Sequence, residues 1–180
     1  MRSLAWLALA CGGGTAPVVA NTTTTPRAEP VIDAPADCTP LDDAQAKNAE
    51  RVVFTDSKTE LYGYKDRSGA IAIPAVYHYA FPFNTYGVAP ALDGTFQFVF
   101  LDMHGRVIAH ALGFDNGPDY FQEGLARIID ARGKVGFMTE RGEVAIAPTF
   151  DRAEPFCHDR ATVVRDGATF VIDRRGRSVQ

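Results

Sequence analysis

The chain is poor in cysteine, has a single tryptophan and carries no long hydrophobic run. Three cysteines in 180 residues exclude a small domain stapled by many disulfides. The longest apolar run, Leu4 to Ala10, has seven residues, far short of the roughly 20 that a helix needs to cross a bilayer. Lys and Arg number 18 against 22 Asp and Glu, a net charge of −4, and neither sign is clustered. A nucleic-acid surface needs grouped cations to displace counterions from phosphates, so nucleic acid is not an expected partner. Gly-x-x-x-x-Gly-Lys-Ser/Thr, His-Glu-x-x-His and Gly-x-Ser-x-Gly are all missing, which removes the commonest signatures of phosphate binding, zinc hydrolysis and serine nucleophiles. Ser57, Ser68 and Ser178 fall in turns or at the end of the chain, and His78, His104, His110 and His158 form no ligand spacing. Cys157-His158-Asp159 has the right residue types, but adjacent side chains rarely converge on one metal or face each other as nucleophile and base. No catalytic residue, metal site or cofactor is expected.

What is present begins with an address. Arg2, the apolar run and small residues around Cys11 describe an export signal. Leu7-Ala8-Leu9-Ala10-Cys11 resembles the lipobox of bacterial lipoprotein signal peptides, with Ala8 where that motif most often has Leu. The resemblance implies lipidation of Cys11 and an anchor at the outer membrane or cell surface, the acyl chains contributing ~0.8 kcal/mol per buried methylene. A plain signal, leaving a periplasmic or secreted soluble protein, is the alternative. Residues 11–40, rich in Gly, Thr, Ala and Pro, cannot bury enough surface to offset chain entropy and read as a linker. In an oxidising compartment, Cys38 and Cys157 are left as a pair that a disulfide would join; two unpaired thiols are the other reading.

The whole chain is 46% hydrophobic, enough to bury a core, and residues 41–180 carry one internal period. Asp56, Asp93, Asp130 and Asp166, spaced by 37, 37 and 36, each close a β-prone run and open a turn. A second run follows each, ending in Asp66-Arg-Ser-Gly69, Asp102-Met-His-Gly105, Thr139-Glu-Arg-Gly142 and Asp173-Arg-Arg-Gly176. Asp or Thr at the first position caps the turn's N–H groups, and glycine at the fourth accepts the positive φ needed to rejoin a strand. A third run follows, so each unit is predicted as an antiparallel three-stranded meander, with units at about 51–83, 87–121 and 124–156 and a partial one at 161–180. The connections repeat as well: Pro74 to Phe83 parallels Pro148 to Phe156 position by position, and the copy ending at Phe121 carries an extra residue and a displaced Pro118.

Phe121-Gln-Glu-Gly124-Leu-Ala-Arg127, Lys134-Val-Gly136-Phe137, Gly142 to Pro148 and Phe150 to Phe156 resemble WG repeats, bacterial arrays named for a Trp-Gly pair opening the middle strand. The naming tryptophan is absent: Tyr62-Gly63 and Val135-Gly136 stand in its place, and Phe98-Val99 and Thr169-Phe170 lack the glycine too. The fold expected is all-β, tandem meanders stacked as a short curved solenoid, with a closed propeller-like array as the alternative.

Recurrent carboxylates at the repeat period point to turn capping, because a catalytic pair is unique and not copied. Most inter-unit aromatics are expected in the core, while Tyr79, Phe81 and Tyr86 are the candidates for an exposed binding patch. The function expected is a non-enzymatic, lipid-anchored envelope protein whose repeats bind an envelope protein or glycan. The rival is an envelope hydrolase or glycan-acting enzyme with its site in an inter-unit groove.

Overall fold

The computed structural model of the chain describes residues 48, 50–114 and 117–179. The expected signal peptide, Cys11, Cys38 and the linker lie outside them. Among the described residues every regular element is a β-strand. The first unit is β1 (Val52–Thr55), β2 (Tyr62–Lys65) and β3 (Ile71–Tyr77). Next come β4 (Tyr79–Ala80), β5 (Ala89–Leu92), β6 (Phe98–Leu101) and β7 (Val107–Ala111). A small hairpin of β8 (Gly113–Phe114) and β9 (Gly117–Pro118) precedes β10 (Leu125–Ile129), β11 (Val135–Thr139) and β12 (Val144–Phe150). The last unit holds β13 (Arg152–Ala153), β14 (Arg160–Arg165), β15 (Ala168–Asp173) and β16 (Ser178–Val179). Pairing is antiparallel and no sheet closes on itself. The chain is thus an all-β array of tandem meanders.

The turns follow the chemistry of their first residue. At Asp102 the backbone N–H donates to the Arg106 carbonyl and Gly105 N–H returns to the Asp102 carbonyl, while carboxylate Oδ1 accepts from His104 and Arg106 N–H at 2.8 and 3.0 Å. The same set recurs at Asp66, Asp130 and Asp173. These are three-residue hairpin loops with a glycine in the left-handed position. Asp166 departs from the pattern. It and Gly167 both take positive φ, 53° and 77°, as the centre of a two-residue hairpin joining Arg165 to Ala168, so its carboxylate caps nothing of that kind.

The glycine that opens the middle strand has a different cause. On β2, Tyr62 and Tyr64 face Tyr77 and Ile73 of β3; on β11, Val135 and Phe137 face Phe150 and Ile146 of β12. Two residues thus oppose four, and the third strand bulges toward its neighbour. A Cβ on Gly63 would lie 2.6 Å from the Ile73 carbonyl oxygen, and one on Gly136 2.5 Å from that of Ile146. Only glycine admits such a backbone approach. The contacts also correct the sequence parallel. Gly63 meets Ala75 where Gly136 meets Pro148, so the two prolines are one place out of step and the copies agree only from Tyr77 and Phe150 onward. The bulge tolerates either position because its N–H groups stand outside the ladder.

The second unit lacks this glycine and the wide bulge beside it, keeping only the smaller register shift between Phe100 and Leu101. Val99 and Phe100 pair regularly with His110 and Ala109, and β7 continues unbent to pair Ala111 with Ile128 of β10. Units two and three therefore share one seven-stranded sheet. At the other junctions the chain turns at His78 or Asp151, and β4 and β13 make the corresponding pairings, Ala80 with Ala91 and Ala153 with Val163.

Three core clusters fill the array, and each joins one unit to the next. At their centres are aromatic pairs at the repeat period: Tyr64 with Phe83 (ring centroids 4.7 Å), Phe100 with Phe121 (5.5 Å) and Phe137 with Phe156 (4.8 Å). One ring comes from the middle strand, the other from the loop leading onward. The turn glycines repeat the logic: Gly105, Gly142 and Gly176 lie against Ile73, Ile108 and Ile146 of the preceding unit. Contacts between sequence neighbours are the mark of a stacked repeat.

A test separates the two glycine roles. Gly136→Ala forces a backbone overlap and is expected to cost about 2–3 kcal/mol. Gly69→Ala, with open space around its Cβ and only φ +85° against it, costs about 1 kcal/mol. Urea denaturation midpoints of the two variants should fall in that order.

Candidate functional site

The regular array breaks at the second junction. There, in place of the short Pro-Phe connection, the chain inserts the β8–β9 hairpin after β7. Between this hairpin, the Asp93–Gln97 turn and the Asp130–Gly133 turn lies an open groove of about 830 Å³, within the usual range for small-molecule sites. Phe96, Phe98 and Phe114 provide its apolar walls, and Gln97, His110 and Asp130 its polar ones.

Phe96 is the unusual residue. It occupies the fourth position of a turn where six others, ending at Gly69, Gly87, Gly105, Gly133, Gly142 and Gly176, carry glycine, at φ 59°. A bulky side chain in that region is strained, at a cost on the order of 1–3 kcal/mol. It is 68% exposed, and its ring is stacked on His78 at 3.9 Å with an interplanar angle of 13°. A strained, exposed aromatic held flat by an imidazole makes a platform. Phe98, half-buried, lies on the backbone of Gly113, where a Cβ would sit 3.0 Å from its ring. Phe114 is exposed on the hairpin, with the Arg127 guanidinium 5.1 Å from its centroid.

Arg127 fixes the hairpin. Its guanidinium is buried and makes a two-pronged ion pair with buried Asp119, Nε to Oδ2 at 3.0 Å and Nη2 to Oδ1 at 2.6 Å. Asp119 Oδ2 also accepts the Arg127 backbone N–H at 2.7 Å, and Arg127 Nη1 donates to the Ala153 carbonyl at 2.9 Å. One side chain thus ties the inserted loop to β10 and to the start of the next unit. Such a pair is costly to bury, but breaking it strands a charge and loses about 3–5 kcal/mol.

The carboxylates near the groove are already engaged. Asp93 accepts from Thr95 and Gln97 N–H and from the Thr95 hydroxyl. Asp130 accepts from Lys134 and Arg132 N–H and from the Arg132 guanidinium, and these interactions, that with Lys134 N–H foremost, lower its pKa. At Asp173 the Arg177 side chain, followed by its backbone N–H, holds the carboxyl at about 2. The repeated aspartates act as turn caps, in line with their copied positions.

The aromatic patch expected from the sequence is divided. Tyr79 contacts Phe81 at 4.9 Å and Tyr62 at 5.1 Å, with Tyr79 half-exposed. Tyr86, also half-exposed, instead has the Arg141 guanidinium 4.3 Å from its ring centroid. Phe96, Phe98 and Phe114 were not among the expected residues. The signal for Phe96 was legible, as Asp93-Gly-Thr-Phe96 departs from the glycine-ended turns around it.

Other candidates resolve into structure. His158 and Asp159 take φ 51° and 59° in a two-residue turn, whose N–H groups donate to the Glu123 carboxylate at 2.6 and 3.0 Å. Cys157 is disulfide-bonded; Cys11 and Cys38 both lie outside the described residues, and so does the expected pairing. Ser68 donates its hydroxyl to Asp66. Among the described residues no three His, Cys, Asp or Glu side chains are grouped to hold a metal, and no helix is long and apolar enough to cross a membrane.

Fold and groove together define a tandem β-meander repeat protein with one irregular junction. Residues 62–94 and 136–167 match the family model described as WG containing repeat, which supports reading the chain as a WG-repeat protein. No curated protein matches it. The matched stretches contain Gly63 or run from Gly136, the two bulged units; the unmatched second middle strand carries Val99 instead.

The turn caps set an acid limit. Unfolded Asp titrates near ~3.9, so carboxylates depressed in the folded state stabilise it fully above that value, and this is lost as pH falls through their folded values, about 2 for Asp173. Denaturation midpoints should be flat above about pH 5 and fall from about pH 4 downward, with Asp173→Asn shallowing that limb.

Proposed function

We propose that the chain is a non-enzymatic interaction module, exported and lipid-anchored through Cys11, with the groove at its second junction as the binding surface. The observation that carries the reading is the groove itself, the one junction where an exposed, strained aromatic and an inserted hairpin interrupt an otherwise repeated core. Strain at an exposed position is retained when it serves a ligand. Asp130, the carboxylate in the groove's lining, has both oxygens engaged in turn hydrogen bonds, which leaves the groove suited to holding a ligand and poorly suited to acid–base turnover.

In this reading the 11–40 segment is a tether between lipid and array, and a bridge from Cys38 to Cys157 ties the tether's end to the loop before the last unit. The partner is a component of the envelope, protein or glycan, and nucleic acid is not one.

The test compares three proteins in cells: wild type, Cys11→Ser and Phe96→Ala, by membrane fractionation and by crosslinking with mass spectrometry. Cys11→Ser should leave the membrane fraction, and unreduced digests of the wild type should contain a Cys38–Cys157 linked peptide. Phe96→Ala should stay membrane-bound but lose crosslinks from groove peptides. Unchanged crosslinks in Phe96→Ala, or turnover of an envelope substrate by the purified protein, would contradict the reading.

A further inference from the structure

We infer that the groove takes the uncharged sugar rings of a glycan, an assignment that rests on the module reading above. Three features of its lining select this chemistry. The first is flat apolar surface: Phe96, backed by His78 at 3.9 Å, offers an exposed ring, and Phe98 and Phe114 stand across the groove from the same lining. A pyranose ring has a face of C–H groups that lies against such a ring and a rim of hydroxyls that does not.

The second is a pair of polar groups that the fold leaves without a hydrogen bond, His110 acting on Asp93 by charge alone. The Gln97 amide and the His110 imidazole line the groove and are exposed, and neither side chain is engaged in a hydrogen bond among the described residues. An amide carries both donor and acceptor atoms, and an imidazole can carry both, which suits hydroxyls that donate and accept in turn. In the other members of the lining such capacity is already used.

The third is the balance of charge. Asp130, the carboxylate in the lining, has both oxygens engaged by its own turn, and Asp93, bonded to its own loop through Oδ1, lies outside the lining, so the groove wall offers a cationic ligand no open carboxylate. Among the described residues the lining holds no arginine or lysine, and the nearby Arg132 and Arg127 are each paired with an aspartate, so nothing in the wall selects an anionic ligand. A neutral ligand remains. A proline-rich peptide would also use aromatic ridges, but its carbonyls need donors. Those carbonyls only accept, so they would use the donors of Gln97 and His110 and leave their acceptor atoms idle, whereas sugar hydroxyls use both.

The experiment titrates the mature protein with tri-N-acetylchitotriose, cellotriose and maltotriose, and separately with hexaproline, by calorimetry and by NMR shifts. At least one saccharide should bind, with shifts at Phe96, Gln97, His110 and Phe114, and Phe96→Ala should weaken it by about tenfold or more. Phe96→Gly, which suits the turn's φ and removes the platform, should weaken it equally while the melting temperature stays at or above that of the wild type, so a folding defect is excluded as the cause. Gln97→Leu should reduce affinity with the platform intact. Binding of hexaproline and of no saccharide would overturn the glycan assignment and leave the module reading standing. No saccharide binding, with cellular crosslinks still dependent on Phe96, would likewise overturn the sugar while sparing the module. Saccharide binding unaffected by either Phe96 variant would overturn the site.

Discussion

At each junction a ring from the middle strand meets a ring from the loop that follows it, and the array depends on this contact. Tyr64 with Phe83, Phe100 with Phe121 and Phe137 with Phe156 carry the chain from one meander into the next. A three-stranded meander with one apolar face is not stable by itself, so each unit needs the next to cover it. The aromatic pair is part of that cover, adding about 0.5–1.5 kcal/mol beyond area burial through its tilted or edge-on geometry. The turn glycines are subordinate to it. Gly105, Gly142 and Gly176 let the following turn settle on an isoleucine of the unit before, which keeps the rings at stacking distance.

A second constraint decides where the array can be interrupted. Gly63 and Gly136 admit a bulge from the third strand, and the bulge turns the chain out of one sheet and into the next. Val99 occupies the corresponding place in the second unit and is fully buried, so β7 runs straight on and fuses two units edge to edge. The connection is then free to lengthen, and the Arg127–Asp119 pair holds the lengthened segment against the following unit. Groove, hairpin and buried ion pair all lie at the junction that follows the unit with Val99 in the glycine's place. This is the physical link between repeat irregularity and the proposed binding surface.

Much of this was legible in the sequence. The period, the two turns per unit and the capping role of the repeated aspartates follow from residue chemistry at fixed spacing, and the structure has them. The aromatic pairs were legible as a class, since the inter-unit rings were expected in the core, but not as pairs, because partners lie about 20 residues apart and nothing local joins them. The bulge was hidden for a related reason: Gly63 is required by backbone atoms of Ile73 to Ala75, a contact across strands. Tyr86 was grouped with Tyr79 and Phe81 by proximity in the chain, whereas its cation partner, Arg141, comes from the next unit but one turn. Asp119 and Arg127 pair across an inserted segment with no counterpart in the other units, so no repeat could reveal them.

The inter-unit aromatic pair is tested most directly by a double-mutant cycle on Phe137 and Phe156, whose rings meet edge to face, using Leu at each position and urea denaturation as the readout. The account predicts that the two substitutions are non-additive, with a coupling of about 0.5–1.5 kcal/mol. Additivity within about 0.3 kcal/mol would mean that the rings merely fill space, and that something other than their contact holds the units together.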